Sequence, residues 1–151
     1  MPNNQKYITH MLEIQRISQK ANLDDLESLR ECFVEYLNLC AKNNMKVGNF
    51  GAYASMGITK SVAYDWEHGR TRSNSKEYSQ FISFVKLMIA TYRESAIAEG
   101  EINPIVGMFW QKAFDGLNEM TEVEASEANN SLPVSVDAKQ LAEKYEGLLP
   151  E

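Results

Sequence analysis

Thr59, Lys60, Ser61 and Tyr64 put two hydroxyls, an ammonium and a phenol within six residues. Hydroxyls and the phenol donate and accept hydrogen bonds at base edges, and the ammonium meets phosphate oxygens. That mixture is what a helix lying in a major groove presents near its N-terminus. The surrounding charge agrees. From Lys42 to Lys76 there are six basic residues, Lys42, Lys46, Lys60, Arg70, Arg72 and Lys76, against Asp65 and Glu67, a balance of +4 in a chain whose formal charge is −6. A basic island on an acidic chain matters more to a polyanion than the net charge does.

To work, these residues need a helix with a sharp entry. Gly57 follows the apolar-rich run Gly-Ala-Tyr-Ala-Ser-Met and supplies the freedom to take positive φ that a tight inter-helix turn demands. Thr59 can cap the next helix. From there Ile58, Val62, Ala63 and Trp66 fall on one face, while Lys60, Ser61, Tyr64, Asp65 and His68 fall on the other. Gly69 stops the helix. A helix-turn-helix with a basic exit is expected over Met45 to Arg72; any short helical pair with a glycine turn is the alternative that periodicity alone leaves open.

Other chemistries find little support. Gly48-Asn49-Phe50-Gly51 lacks the lysine of a phosphate-binding loop, and paired acids such as Asp24 and Asp25 or Glu122 and Glu124 lie in polar runs with no apolar setting to raise a carboxyl pKa. The two histidines, His10 and His68, have no nucleophile beside them. Cys32 and Cys40 are eight residues apart on one expected helix, about 12 Å along its axis, too far for a mutual disulfide. No metal-ligand spacing occurs, and neither a signal-peptide core nor a membrane-length apolar run is seen. The chain is expected to be non-enzymatic, without cofactor or metal, in a reducing cytoplasm and away from membranes.

At 151 residues and 44% hydrophobic content there is material for one ordinary core or two small ones. Residues 1–21 are expected as a marginal helical arm, and residues 22–72 as the helix-turn-helix domain, opened by a helix capped at Asn22 with Leu26, Leu29, Cys32, Phe33, Tyr36, Leu37 and Cys40 along one stripe. Residues 73–118 are expected as an antiparallel helical hairpin. Its first helix carries Tyr78, Phe81, Ile82, Val85, Met88, Ile89 and Tyr92, with Phe84 and Leu87 widening the apolar arc; Gly100 ends it. Asn103-Pro104 opens the second, where Ile105, Val106, Met108, Phe109, Trp110, Ala113 and Phe114 are apolar nearly all round. Surplus apolar surface on both helices predicts self-association through Phe81, Phe84, Val85, Met88, Tyr92, Ile105, Phe109, Trp110 and Phe114; coverage of the N-terminal domain within one chain is the alternative. From Asp115 onward nine acids face Lys139 and Lys144. Residues 119–131 read as an acidic linker, and 132–151 as a segment with a short strand at 132–136 and a weak amphipathic helix whose Leu141, Tyr145 and Leu148 can dock a partner protein.

The run Gly57-Ile-Thr-Lys-Ser-Val-Ala-Tyr-Asp-Trp-Glu-His-Gly69 resembles repressor-type recognition segments. The stretch Asn103-Pro-Ile-Val-Gly-Met-Phe-Trp-Gln-Lys-Ala-Phe-Asp-Gly-Leu117 is similar to a motif of the small subunit of bacteriophage terminases, with Ala113 where many members carry Asn. The order of parts, a small DNA-binding domain, an apolar hairpin and an acidic tail, resembles that family too. The resemblance implies an all-α chain and no catalysis. It implies a homo-oligomeric ring, commonly nonameric, assembled by the hairpin, that binds the packaging site on double-stranded viral DNA and recruits the large terminase subunit, in the cytoplasm of the infected bacterial host. By matching position, Thr59, Lys60, Ser61 and Tyr64 would meet DNA, with Lys46, Arg70 and Arg72 on phosphates. A dimeric helix-turn-helix transcriptional repressor, self-associating through residues 75–117, is the alternative function.

Overall fold

A computed structural model describes residues 4–70 and 75–116. Arg72, the linker expected over 119–131 and the segment 132–151 with its strand and with Leu141, Tyr145 and Leu148 lie outside them. All regular structure among the described residues is helical: α1 (Asn4–Ser18), α2 (Leu26–Asn43), α3 (Asn49–Ser55), α4 (Lys60–Glu67), α5 (Ser75–Ala98) and α6 (Pro104–Phe114). None is long and apolar enough to cross a membrane. The chain divides into two compact units, Met1–Asn103 and Pro104–Glu151.

In the first unit α2 is the central post. Leu29, Cys32, Phe33, Tyr36 and Cys40 are all buried, five positions of the apolar stripe, with Leu26 and Leu37 packed partly against the same core. The cap falls three residues later than expected. Asn22 is spent on a turn: its Oδ1 accepts from the Asp24 N–H at 3.0 Å and its own N–H donates to Ser28 Oγ at 2.9 Å. Asp25 caps instead, accepting from the Glu27 N–H at 3.1 Å. At the far end Asn44 takes the left-handed conformation, φ 52°, and closes the helix.

α1 is a member of this core rather than a loose arm. Ile17 is buried beside α2 and so is His10, whose Nδ1 accepts from Asn43 Nδ2 at 2.9 Å. The same amide donates to Glu13 Oε1 at 2.9 Å. With Nδ1 accepting, the ring proton sits on Nε2, which faces Cys40 Sγ at 4.0 Å. Burial holds the His10 pKa below its ordinary value, with Glu13 opposing and Lys6 assisting. Burial likewise raises the thiol pKa values of Cys32 and Cys40, so both are protonated core groups.

α5 closes the other side. Tyr78, Phe81, Ile82, Val85 and Ile89 are buried in one cluster with Trp66 of α4 and Phe33 and Tyr36 of α2. Trp66 meets Tyr78 edge to face at 4.9 Å, and the Tyr78 hydroxyl donates to the Leu23 carbonyl at 2.7 Å. Phe81 and Val85, both expected on the self-association surface, are buried within their own unit, in one cluster with residues of α2 and α4. Phe84 and Leu87, off the buried stripe, remain 44% and 60% exposed, and Met88 and Tyr92 are half-buried at its edge.

In the second unit α6 begins at Pro104, the position where a missing N–H costs nothing. Ile105 and Phe109 are exposed, while Trp110 and Phe114 are half-buried.

Candidate nucleic-acid interface

The turn between α3 and α4 is built as its residues require. Gly57 has φ +74°, and its N–H donates to the Ala54 carbonyl at 3.0 Å. The Ile58 N–H returns to the Tyr53 carbonyl at 3.0 Å, which tucks Ile58 into the core. Thr59 then caps α4, its Oγ1 accepting from the Val62 N–H at 3.1 Å. Ala63 and Trp66 are buried and Val62 half-buried, so the rotation of α4 about its axis is fixed. The opposite side carries Thr59, Lys60, Ser61, Tyr64 and His68, all exposed.

Tyr64 is held in place at the surface. It is 49% exposed, yet its ring packs on His68 at a centroid distance of 4.1 Å, and the Arg70 guanidinium lies 5.1 Å from its centroid. His68 Nδ1 donates to the Tyr64 carbonyl at 2.8 Å, leaving Nε2 toward solvent. His68 and Arg70 thus fix the position of the ring, and about half of Tyr64 stays open to solvent. The four-residue spacing of Tyr64 and His68 on one helix face makes this pair readable in sequence; the return of Arg70 over the same ring is not, because it depends on the turn at Gly69, φ +68°.

Each acid of the basic island lies beside a cation of the same chain. Glu67 receives Lys86 of α5 at 3.0 and 3.1 Å, in a pair one-third exposed or less. Its carbonyl also accepts from Ser79 Oγ at 2.6 Å. Asp65 lies 3.9 Å from Arg70. Glu67 is thus paired with a cation from outside the island, whereas the Asp65–Arg70 pair, both partners inside it, leaves the balance of +4 as counted. Lys46 is exposed just before α3, and Arg70 just after α4, so cations bracket the α3–α4 pair in sequence.

Two buried devices fix α3. The Tyr36 hydroxyl accepts from the Gly48 N–H at 2.8 Å and donates to the Gly48 carbonyl at 3.2 Å, and burial raises its pKa far above the ordinary phenol value. Arg93 of α5, 1% exposed, donates from Nη2 to Asn49 Oδ1 at 2.6 Å. Asn49 is itself buried, and its Nδ2 has no hydrogen-bond partner among the described residues. Neither Arg93 nor Asn49 stands out in the sequence, since an arginine near the end of a helix reads as a solvated charge.

No family model, curated protein or solved structure matches the chain.

Proposed function

We propose that this chain binds double-stranded DNA through the outward face of α4 and acts without catalysis, in the manner of a small terminase subunit. The reading is supported by the α3–Gly57–α4 pair, two short helices joined by a glycine turn and a threonine cap, which we take as a helix-turn-helix; Thr59, Lys60, Ser61 and Tyr64 are exposed near the start of its second helix, and Trp66 and Ala63 are buried on the other side. Lys46 and Arg70, with Arg72 beyond, take phosphates on either flank.

One such module is a weak binder, because a +4 island neutralises few phosphates. Several copies on one duplex raise affinity through effective concentration, which fits a ring assembled through the apolar surplus of α5 and α6. In that arrangement the chain marks the packaging site on viral DNA and, through residues 132–151, brings the large terminase subunit, which supplies ATPase and nuclease, in the host cytoplasm.

The test is binding of the full chain to duplex DNA over a salt series. Replacing Lys46, Lys60 and Arg70 together with alanine removes three phosphate partners from each copy. The slope of log K against log salt then flattens by about 0.9 for each phosphate no longer neutralised. Unchanged affinity and slope would leave the island without a role in DNA binding.

A further inference from the structure

A cleft of about 300 Å³ opens between α1 and α2 in the first unit. Its floor is apolar, made by Ile17 and Leu39, which are 7% and 9% exposed. The rim is charged. Three cations line it, Arg16, Lys20 and Lys42, against two acids, Glu13 and Glu35.

These five groups are not equally engaged. Lys20 Nζ donates to both carboxylate oxygens of Glu35, at 2.6 and 2.7 Å, so that pair closes on itself. Glu13 accepts through Oε1 from Asn43 Nδ2 at 2.9 Å. The side chains of Arg16 and Lys42 form no ion pair or hydrogen bond among the described residues. Arg16 stands in the last turn of α1 and Lys42 in the last turn of α2, where a helix dipole favours a cation. The dipole accounts for each of them singly. It gives no reason for both to line one cleft, where two unpaired like charges over apolar walls focus a positive potential.

We propose that this cleft binds the phosphate of a nucleotide, free or within a nucleic-acid strand. The Arg16 guanidinium meets two phosphate oxygens at once, the Lys42 ammonium adds a point charge, and the amide of Asn38, on the same rim, is a further donor. Glu13 beside them sets the preference for a phosphate over a carboxylate, since a ligand with a single negative charge gains less against that acid. Ile17 and Leu39 take the sugar or base, and the volume is at the lower end of clefts that hold small molecules. None of these residues belongs to α3 or α4, so the site is additional to the DNA contact proposed above.

The experiment follows amide signals of the isotope-labelled full chain by nuclear magnetic resonance. The probes are thymidine monophosphate, thymidine, which lacks the phosphate, and a duplex of about 20 base pairs. Arg16→Gln with Lys42→Gln alters the cleft at exposed helical positions, and Lys6→Gln with Lys112→Gln removes the same charge elsewhere. Circular dichroism verifies that both fold. Thymidine monophosphate is expected to shift residues 13–20 and 35–42, thymidine is not, and the shifts are lost in the cleft variant but kept in the control. If the phosphate belongs to a strand, the duplex produces those shifts instead, and the cleft variant flattens the slope of log K against log salt by about 0.9 for the phosphate lost. Equal shifts with thymidine, equal losses in the control variant, or a cleft unmoved by both phosphate-bearing probes overturns the proposal. A cleft that responds to the mononucleotide, in a chain whose duplex binding ignores Lys46, Lys60 and Arg70, upholds it and overturns the α4 reading alone.

Discussion

Gly51→Ala sets two known effects against each other, and the structure decides the sign. Gly51 lies inside α3, where alanine normally gains about 1 kcal/mol over glycine by helix propensity. A Cβ built at Gly51, however, falls 2.7 Å from both Cε1 and Cζ of Tyr36, closer than real Cβ atoms approach anything. The ring cannot swing aside without cost, since its hydroxyl is bound both to the N–H and to the carbonyl of Gly48. Overpacking of this kind costs about 1–3 kcal/mol, and breaking either hydrogen bond to Gly48 adds about 0.5–1.5 kcal/mol. The steric term wins, and Gly51→Ala is expected to destabilise by about 0.5–3.5 kcal/mol once the propensity gain of about 1 kcal/mol is subtracted. Gly48→Ala is the internal control: no atom lies within 4 Å of a Cβ there, its φ of −144° is ordinary extended backbone, and only a small change is expected. Urea unfolding followed by circular dichroism measures both. In a Tyr36→Leu background the Gly51→Ala penalty should shrink, because the obstructing ring is gone. A Gly51→Ala chain as stable as the unmodified one would refute the reasoning, as would equal effects at positions 48 and 51.

Two further outcomes follow from the buried polar groups. His10 is neutral in the fold, its pKa lowered by burial, so the unfolded chain takes up a proton that the folded chain resists; stability is therefore lost as pH falls below the ordinary value of 6.5 and continues to fall until the lowered pKa is passed. Urea midpoints at pH 7.5 and 5.5 should differ more for the unmodified chain than for His10→Gln, and an identical drop in both would remove His10 from the explanation. Asn49→Ala takes an acceptor from a guanidinium that is 1% exposed and should cost about 1.5–3 kcal/mol, the range for a hydrogen bond to a charged group. Adding Arg93→Met should cost less than Arg93→Met does alone; strictly additive effects would mean the contact carries no energy of its own.

Local signals made much of this fold legible. Gly57, Thr59, Gly100 and Pro104 mark breaks and starts through backbone chemistry that needs no partner, and the helices start or end within two residues of those marks. The outward face of α4 was readable for the same reason, being a matter of helical period. What failed to show depends on distant residues. Asn22 and Asp25 are equally good caps by type, and Ser28 with the Asp24 N–H decides between them. α1 looks marginal until His10 finds Asn43 and Cys40 thirty or more residues away. The wide apolar arc of α5 has no local mark separating Phe81 and Val85, which the core takes, from Phe84 and Leu87, which it leaves exposed.

Hydrogen exchange of the full chain, with and without a duplex of about 20 base pairs, tests the central claim most directly, because base-edge and phosphate contacts exclude water from the backbone they cover. Slowed exchange across residues 57–70, strongest at the start of α4 and weakened by Tyr64→Ala, is the result expected. Protection confined to α1 or α5, or a duplex that leaves 57–70 exchanging as before, would contradict it.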